Sequence, residues 1–258
     1  MYIDTLTHEG IKKSLCEIFN MNEIHLKDAI NHLRNYDNYD EQIKEIDYFI
    51  KQHLKYKPNE LLFFHLSRRL NTMIDENDGK PLSVLLTTNN PFSNFFKKYY
   101  ISFEMVDNRL VFKYKNNNID LNFNAAAKNI ENRILHDDCF NGQAFNINIT
   151  SSIYNYSLEE CPEIINDISN IISKNINMID DYKNNSTYIC YIYKVPIDYV
   201  IVDNKEYYED KLYSLLRKCI EILFEDGYMK ENIVLRIEDG KILSSKYFMN
   251  KYVIKLND

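Results

Sequence analysis

Apolar positions recur at helical spacing through the first fifty-odd residues and then change period. Ile11, Leu15, Ile18 and Phe19 follow a capping residue at Thr7. Ile24, Leu26, Ile30 and Leu33 form a second stripe. Ile43, Ile46, Phe49, Ile50 and Leu54 form a third, with Asp40 as its cap. Lys57-Pro58-Asn59 breaks the pattern, because proline disfavours helix in the residue before it. Beyond that point the chain reads mainly as strands, at 60–66, 119–123, 187–193, 195–202, 233–237 and 251–256. The clearest hairpin pairs 101–106 with 109–114 around Asp107-Asn108. Asn141-Gly142 reads as a turn or bulge running into a strand at 144–147. Helices are expected at 91–100, from Pro162 onward with Ile164, Ile165, Ile168, Ile171, Ile172 and Ile176 on the buried face, and at 209–224 ending near Gly227. Residues 81–88 fit a helix or a strand.

This order is not the regular alternation of a doubly wound fold. It predicts an α+β chain with an antiparallel or mixed, strongly twisted sheet and only a few helices between its strands. The predicted organisation is a helical N-terminal segment at 1–57 followed by an α+β domain at 58–258. With five glycines and no Gly-x-Gly-x-x-Gly or Walker sequence, the familiar phosphate-cradling loops are absent.

Charge and cysteine usage narrow the classes. A formal charge of −7 argues against a general electrostatic grip on nucleic acid and leaves room for a local basic patch. The five cysteines are odd in number, scattered and without zinc spacing, which fits buried free thiols in a reducing cytoplasm. No apolar run approaches the ~20 residues of a membrane span, so no membrane partner is expected. No metal is expected either: His136-Asp137-Asp138-Cys139 has no second His-Asp group to complete a ligand set.

The most informative stretch is 61–71, an apolar run that ends on His65, Ser67, Arg68 and Arg69. Polar groups at the end of a buried strand are held rigidly and can face a ligand. His65 reads either as a sugar-binding or acid/base group or as a core histidine. Arg68 and Arg69 read either as a bidentate phosphate grip or as a solvated pair. Tyr154 offers a ring for stacking, against a structural tyrosine in a chain with 21 of them. Glu238, at the end of a late strand, is either a charge-stabilising carboxylate or a turn residue.

Taken in order, these features resemble the ADP-ribosyltransferase fold of the His-Tyr-Glu-like type, over about residues 59–258, which implies an α+β fold with a split, mostly antiparallel sheet and flanking helices. Phe63-Phe64-His65-Leu66-Ser67 is similar to its first strand element and 142–154 to its second. Residues 187–202 are similar to its central strand pair and 233–256 to its final strands, with Glu238 nearest the acidic position. The chain departs from the family where His-Gly-Thr would stand, and it has no Glu-x-Glu or Gln-x-Glu pair at Glu238. The resemblance implies NAD as substrate, with His65 and Glu238 catalytic. It implies NAD contacts from His65, Ser67, Arg68, Arg69 and Tyr154. The acceptor would be a protein, a nucleic acid or water, in a bacterial toxin or phage-defence setting, and the N-terminal helices would engage a partner. The competing expectation is a non-catalytic α+β interaction or regulatory protein, since tyrosine and asparagine suit recognition surfaces.

Overall fold

The computed structural model describes residues 1–36, 38–107, 109–121, 125–150, 156–172, 177–202, 205, 207–224 and 231–255. Its elements begin with β1 (Tyr2–Ile3), α1 (His8–Phe19), α2 (Glu23–Arg34), α3 (Tyr39–His53), β2 (Glu60–Leu70), α4 (Leu82–Thr87) and α5 (Pro91–Lys97). Next come β3 (Ile101–Val106), β4 (Arg109–Tyr114), β5 (Asn117–Ile119), α6 (Ala125–His136), β6 (Asn141–Gln143), α7 (Tyr156–Glu160), α8 (Glu163–Ile172) and α9 (Met178–Asn184). The chain continues with β7 (Ser186–Pro196), β8 (Ile201–Val202), α10 (Tyr208–Ile222), β9 (Val234–Arg236) and β10 (Phe248–Val253). The fold is α+β, and its sheets are mostly antiparallel.

Contacts divide the chain into two compact units, each assembled from three separate segments. The first contains Met1–Phe64, Asn141–Ser152 and Ile192–Arg236, and the second contains His65–Phe140, Ile153–Tyr191 and Ile237–Asp258. The N-terminal helices thus share a unit with later strands and with α10.

In the first unit, α1 starts where the sequence signals it: the Thr7 hydroxyl accepts from Gly10 N–H at 3.0 Å. The α3 cap is Asn38 rather than Asp40, because the Asn38 amide oxygen accepts from both Asp40 and Glu41 N–H. The apolar stripes bury Ile11, Leu15, Ile18, Leu26, Ile30, Ile46 and Ile50. Arg217 on α10 holds Asp47 on α3 with two-pronged contacts at 2.8 Å. In this unit the part of β2 up to Phe64 lies between the part of β7 from Ile192 and β6, followed by β9 and β8, with β1 added parallel to β2. Gly142 in β6 is required by close packing. A Cβ there would stand 2.5 Å from both the Phe63 ring and the Phe64 carbonyl oxygen.

The second unit has an aromatic core: Phe92, Phe95, Phe96, Phe103, Phe112 and Tyr182 pack with Ile130, Ile164, Ile165 and Ile168 from α6 and α8. Phe103 and Phe112 stack at 4.9 Å across the β3–β4 hairpin, whose register runs from Ile101↔Tyr114 to Val106↔Arg109 as expected. The strand expected at 119–123 instead occupies Asn117–Ile119, and 122–123 lie outside the described residues. Residues 81–88 resolve as the helix α4. Helices α6, α7 and α9 are additional to the elements read from the sequence. The segment 144–147 is not a strand; pairing stops at Gln143, and Phe145 N–H and C=O turn instead to the Asn232 side chain. The two strands expected at 187–202 are one long strand, a helical turn at Ile197–Tyr199 and the short β8. Ile176, Gly227 and Leu256 lie outside the described residues.

Two outcomes test this packing. Gly142→Ala is expected to destabilise the protein by about 1–3 kcal/mol through overpacking, read from the urea midpoint. In a thiol titration of the native protein, half-exposed Cys16 and Cys139 react, while buried Cys161, Cys190 and Cys219 react only after denaturation. Burial pushes the Cys190 thiol up to about 12, which removes its reactive thiolate at neutral pH.

Candidate functional site

Strand β2 does not end at Leu66 but runs on through Leu70. This changes what its polar residues face. Side chains alternate across a strand, and the burial pattern follows that period after Phe64. His65, Ser67 and Arg69 are half-buried on one face, whereas Leu66, Arg68 and Leu70 are buried on the other. Adjacent arginines therefore point to opposite sides of the sheet and do not form one guanidinium pair.

Arg68 is 9% exposed, and its guanidinium is held by neutral oxygens. Its Nε donates to Ser186 Oγ at 2.9 Å, one terminal nitrogen to the Glu159 carbonyl at 2.7 Å, and the other to the Lys183 carbonyl at 3.1 Å. Glu159 and Lys183 stand in the last turns of α7 and α9, where carbonyl groups left without helical partners carry partial negative charge. Those carbonyls offset a buried charge that would otherwise be costly. Tyr182 hydroxyl donates back to the Arg68 carbonyl at 2.8 Å. In this arrangement Arg68 clamps two helix ends to a strand.

Arg69 lies with its guanidinium carbon 4.1 Å from the centroid of the Tyr191 ring and donates to the Glu76 carbonyl. Lys251 stands 6.0 Å from the same ring and donates to the Ile74 carbonyl at 2.7 Å, which also accepts from the Tyr191 hydroxyl at 2.9 Å. Three side chains thus pin the backbone at 74–76. Burial raises the Tyr191 hydroxyl above its ordinary range, with the Arg69 cation pulling the other way. The pinned segment forms one wall of a cleft of 430 Å³ lined by Asp75, Glu76, Asp78, Lys80, Asn90 and Ser245, among others. Lys80 is paired with Glu76 at 2.8 Å and Lys251 with Asp75 at 2.7 Å, so two of the cleft's carboxylates are already matched by cations.

The His65 face centres on Phe140. The two rings lie 4.0 Å apart at 37°. The Phe140 carbonyl accepts from Ile237 N–H at 2.9 Å, which ties the residue before Glu238 to the same aromatic. Glu238 is exposed and opens a tight turn in which Lys241 N–H donates to its carbonyl at 3.0 Å. Gly240 in that turn has φ 71° and donates to the Asp138 carbonyl at 2.8 Å. The Asp138 carboxylate in turn accepts from Ser83 N–H at 2.8 Å and from the Ser83 hydroxyl, at the start of α4. His136-Asp137-Asp138 is therefore bound into helix capping at its third member. Among the described residues no cluster of three or more His, Cys, Asp or Glu is placed to hold a metal ion.

His65, Ser67, Arg69 and Glu238 thus belong to one compact unit, and Phe140 touches both His65 and the strand end that carries Glu238. Tyr154 lies outside the described residues. Phe140, Tyr191, Lys251 and Gly79 were not singled out by sequence reasoning; each acts through long-range packing, and no local pattern marks it. Among the described residues, no helix is long and apolar enough to cross a membrane. Comparison with protein-family models, with curated proteins and with solved structures gave no match.

Arg68→Met is expected to lower stability by roughly 3 kcal/mol, since it strands Ser186 and two helix-end carbonyls. Arg68→Lys should recover only part of that loss, because a point-like ammonium cannot span the three acceptors. Urea midpoints of the two variants, compared with the wild type, measure both effects.

Proposed function

We propose that the chain is an NAD-dependent ADP-ribosyltransferase or NAD glycohydrolase, with NAD bound between His65 and Glu238. The observation that carries this reading is the double role of Phe140, whose ring lies on His65 and whose carbonyl holds Ile237 beside Glu238. A half-buried imidazole and an exposed carboxylate tied to one aromatic residue suit a flat, polar, sugar-bearing substrate.

In this mechanism the bond between nicotinamide N1 and ribose C1′ breaks, and its electron pair leaves with nicotinamide. Positive charge then develops on the ribose ring. The Glu238 carboxylate accepts a hydrogen bond from a ribose hydroxyl and stabilises that charge. His65 anchors the adenosine-side ribose, and Ser67 meets the nicotinamide amide from the same strand face. Arg69, on that face, would neutralise pyrophosphate; Arg68, engaged on the opposite face with α7 and α9, would support the strand. Tyr154 would stack on nicotinamide. A nucleophile from a protein, a nucleic acid or water forms the new bond to C1′ and gives up a proton. The reading carries with it a cytoplasmic setting and a toxin or phage-defence role.

A second reading, a non-catalytic interaction protein, is favoured by the exposed apolar side chains of α2 and α3. Ile24, Tyr39 and Tyr48 are 71%, 65% and 61% exposed. Such residues suit a protein or nucleic-acid partner at the N-terminal helices.

Nicotinamide release from NAD separates the two. With cell lysate supplied as acceptor source, the wild-type protein should release nicotinamide. His65→Ala and Glu238→Ala should each reduce the rate by about a hundredfold or more. A wild-type protein that releases none under these conditions sinks the enzyme reading.

A further inference from the structure

We propose that Phe140, seated against Gly79, is a positioning residue that sets the orientation of the His65 imidazole. This rests on the ribosyl-transfer reading for its catalytic consequence, but its geometry stands apart from it. The Phe140 ring is 3% exposed and has His65 on it at 4.0 Å. Gly79 is packed tightly against it: a Cβ at position 79 would stand 2.5, 2.5 and 2.7 Å from Phe140 Cδ1, Cε1 and Cζ. These distances leave no room for any side chain while the ring keeps its place.

Neither partner can easily retreat. Gly79 exchanges both backbone hydrogen bonds with Leu243, each at 2.8 Å, so its segment is fixed like a strand rung. Phe140 is anchored through its own carbonyl by Ile237 N–H at 2.9 Å. Close-packed interiors transmit such displacements rather than absorb them. A methyl group at position 79 therefore moves the ring, and the ring moves or releases the imidazole. Gly79 is thus selected by contact with a ring, not by a special backbone angle. The same segment, through Asp78 and Lys80, lines the 430 Å³ cleft, so the His65 contact and one wall of that cleft share a support.

The test uses Gly79→Ala, Phe140→Leu and the double variant, each in the full chain, with thermal melts to confirm folding. In the wild type the His65 imidazole resonances should be shifted upfield by the Phe140 ring current, without any ligand. Both single variants should move those resonances downfield and lower kcat/KM for NAD by about a hundredfold. Leucine at 140 vacates the space that a methyl at 79 would need. The double variant should therefore match Phe140→Leu alone rather than show the sum of both losses. Unchanged His65 resonances in folded Gly79→Ala and Phe140→Leu overturn the proposal, as do additive losses in the double variant. Absence of NAD turnover in the wild type overturns the ribosyl-transfer reading instead, and the ring-current comparison still decides whether Phe140 orients His65.

Discussion

A strand cut off from water must have its N–H and C=O groups hydrogen-bonded on both edges, and β2 is where this protein meets that demand. Leu61, Leu62, Phe63 and Phe64 are buried in succession, as in a strand covered on both faces. Asn59 and Asn71, at its two ends, bond to Ile197 and Asn185 at 3.0 and 2.9 Å, which sets the antiparallel run of β7 beside it. On the other edge Phe64 pairs with Gln143. The strand contributes residues to both compact units, and the candidate site hangs on its second half.

The handling of charge on β2 follows from this. A guanidinium on a buried strand face needs compensation, and the Arg68 side finds it in helix-end carbonyls rather than in a carboxylate. One residue later the chain faces the opposite side, where Arg69 settles over an aromatic ring and holds a loop carbonyl. Both arginines therefore order backbone segments: Arg68 fixes α7 and α9 against the strand, and Arg69, with Tyr191 and Lys251, fixes 74–76. A cleft wall made of backbone held by three side chains is rigid, and rigidity is what a binding surface needs to hold substrate geometry.

Much of the architecture was legible along the chain. Helical stripes in α1 to α3, the β3–β4 hairpin and the long α10 carry strong periodicity, so local pattern and tertiary burial agree there, apart from Ile24 at the start of α2, which stays exposed. The failures share a cause. Residues 144–147 have strand-like composition, but Phe145 spends its backbone bonds on Asn232, far away in sequence. Sequence pattern ends the strand at residue 66, among polar residues, because composition registers charge and not the carbonyls waiting to receive it. In α6 the run Ala125-Ala126-Ala127-Lys128 is weakly amphipathic at its start, and its burial depends on the aromatic core.

For the candidate site, the sequence by itself determined that polar, chemistry-bearing groups follow the apolar run at 61–64, and that a carboxylate stands beside a late turn. Period-two alternation then assigns faces to 65–69 once the strand is known to continue. Only the tertiary structure decided that it does continue, that Arg68 turns inward to two helix ends, and that Phe140 lies between Gly79 and His65. These depend on which oxygens and rings arrive from distant segments. Hydrogen-bond satisfaction and close packing are properties of the assembled interior, and no single stretch of sequence contains them.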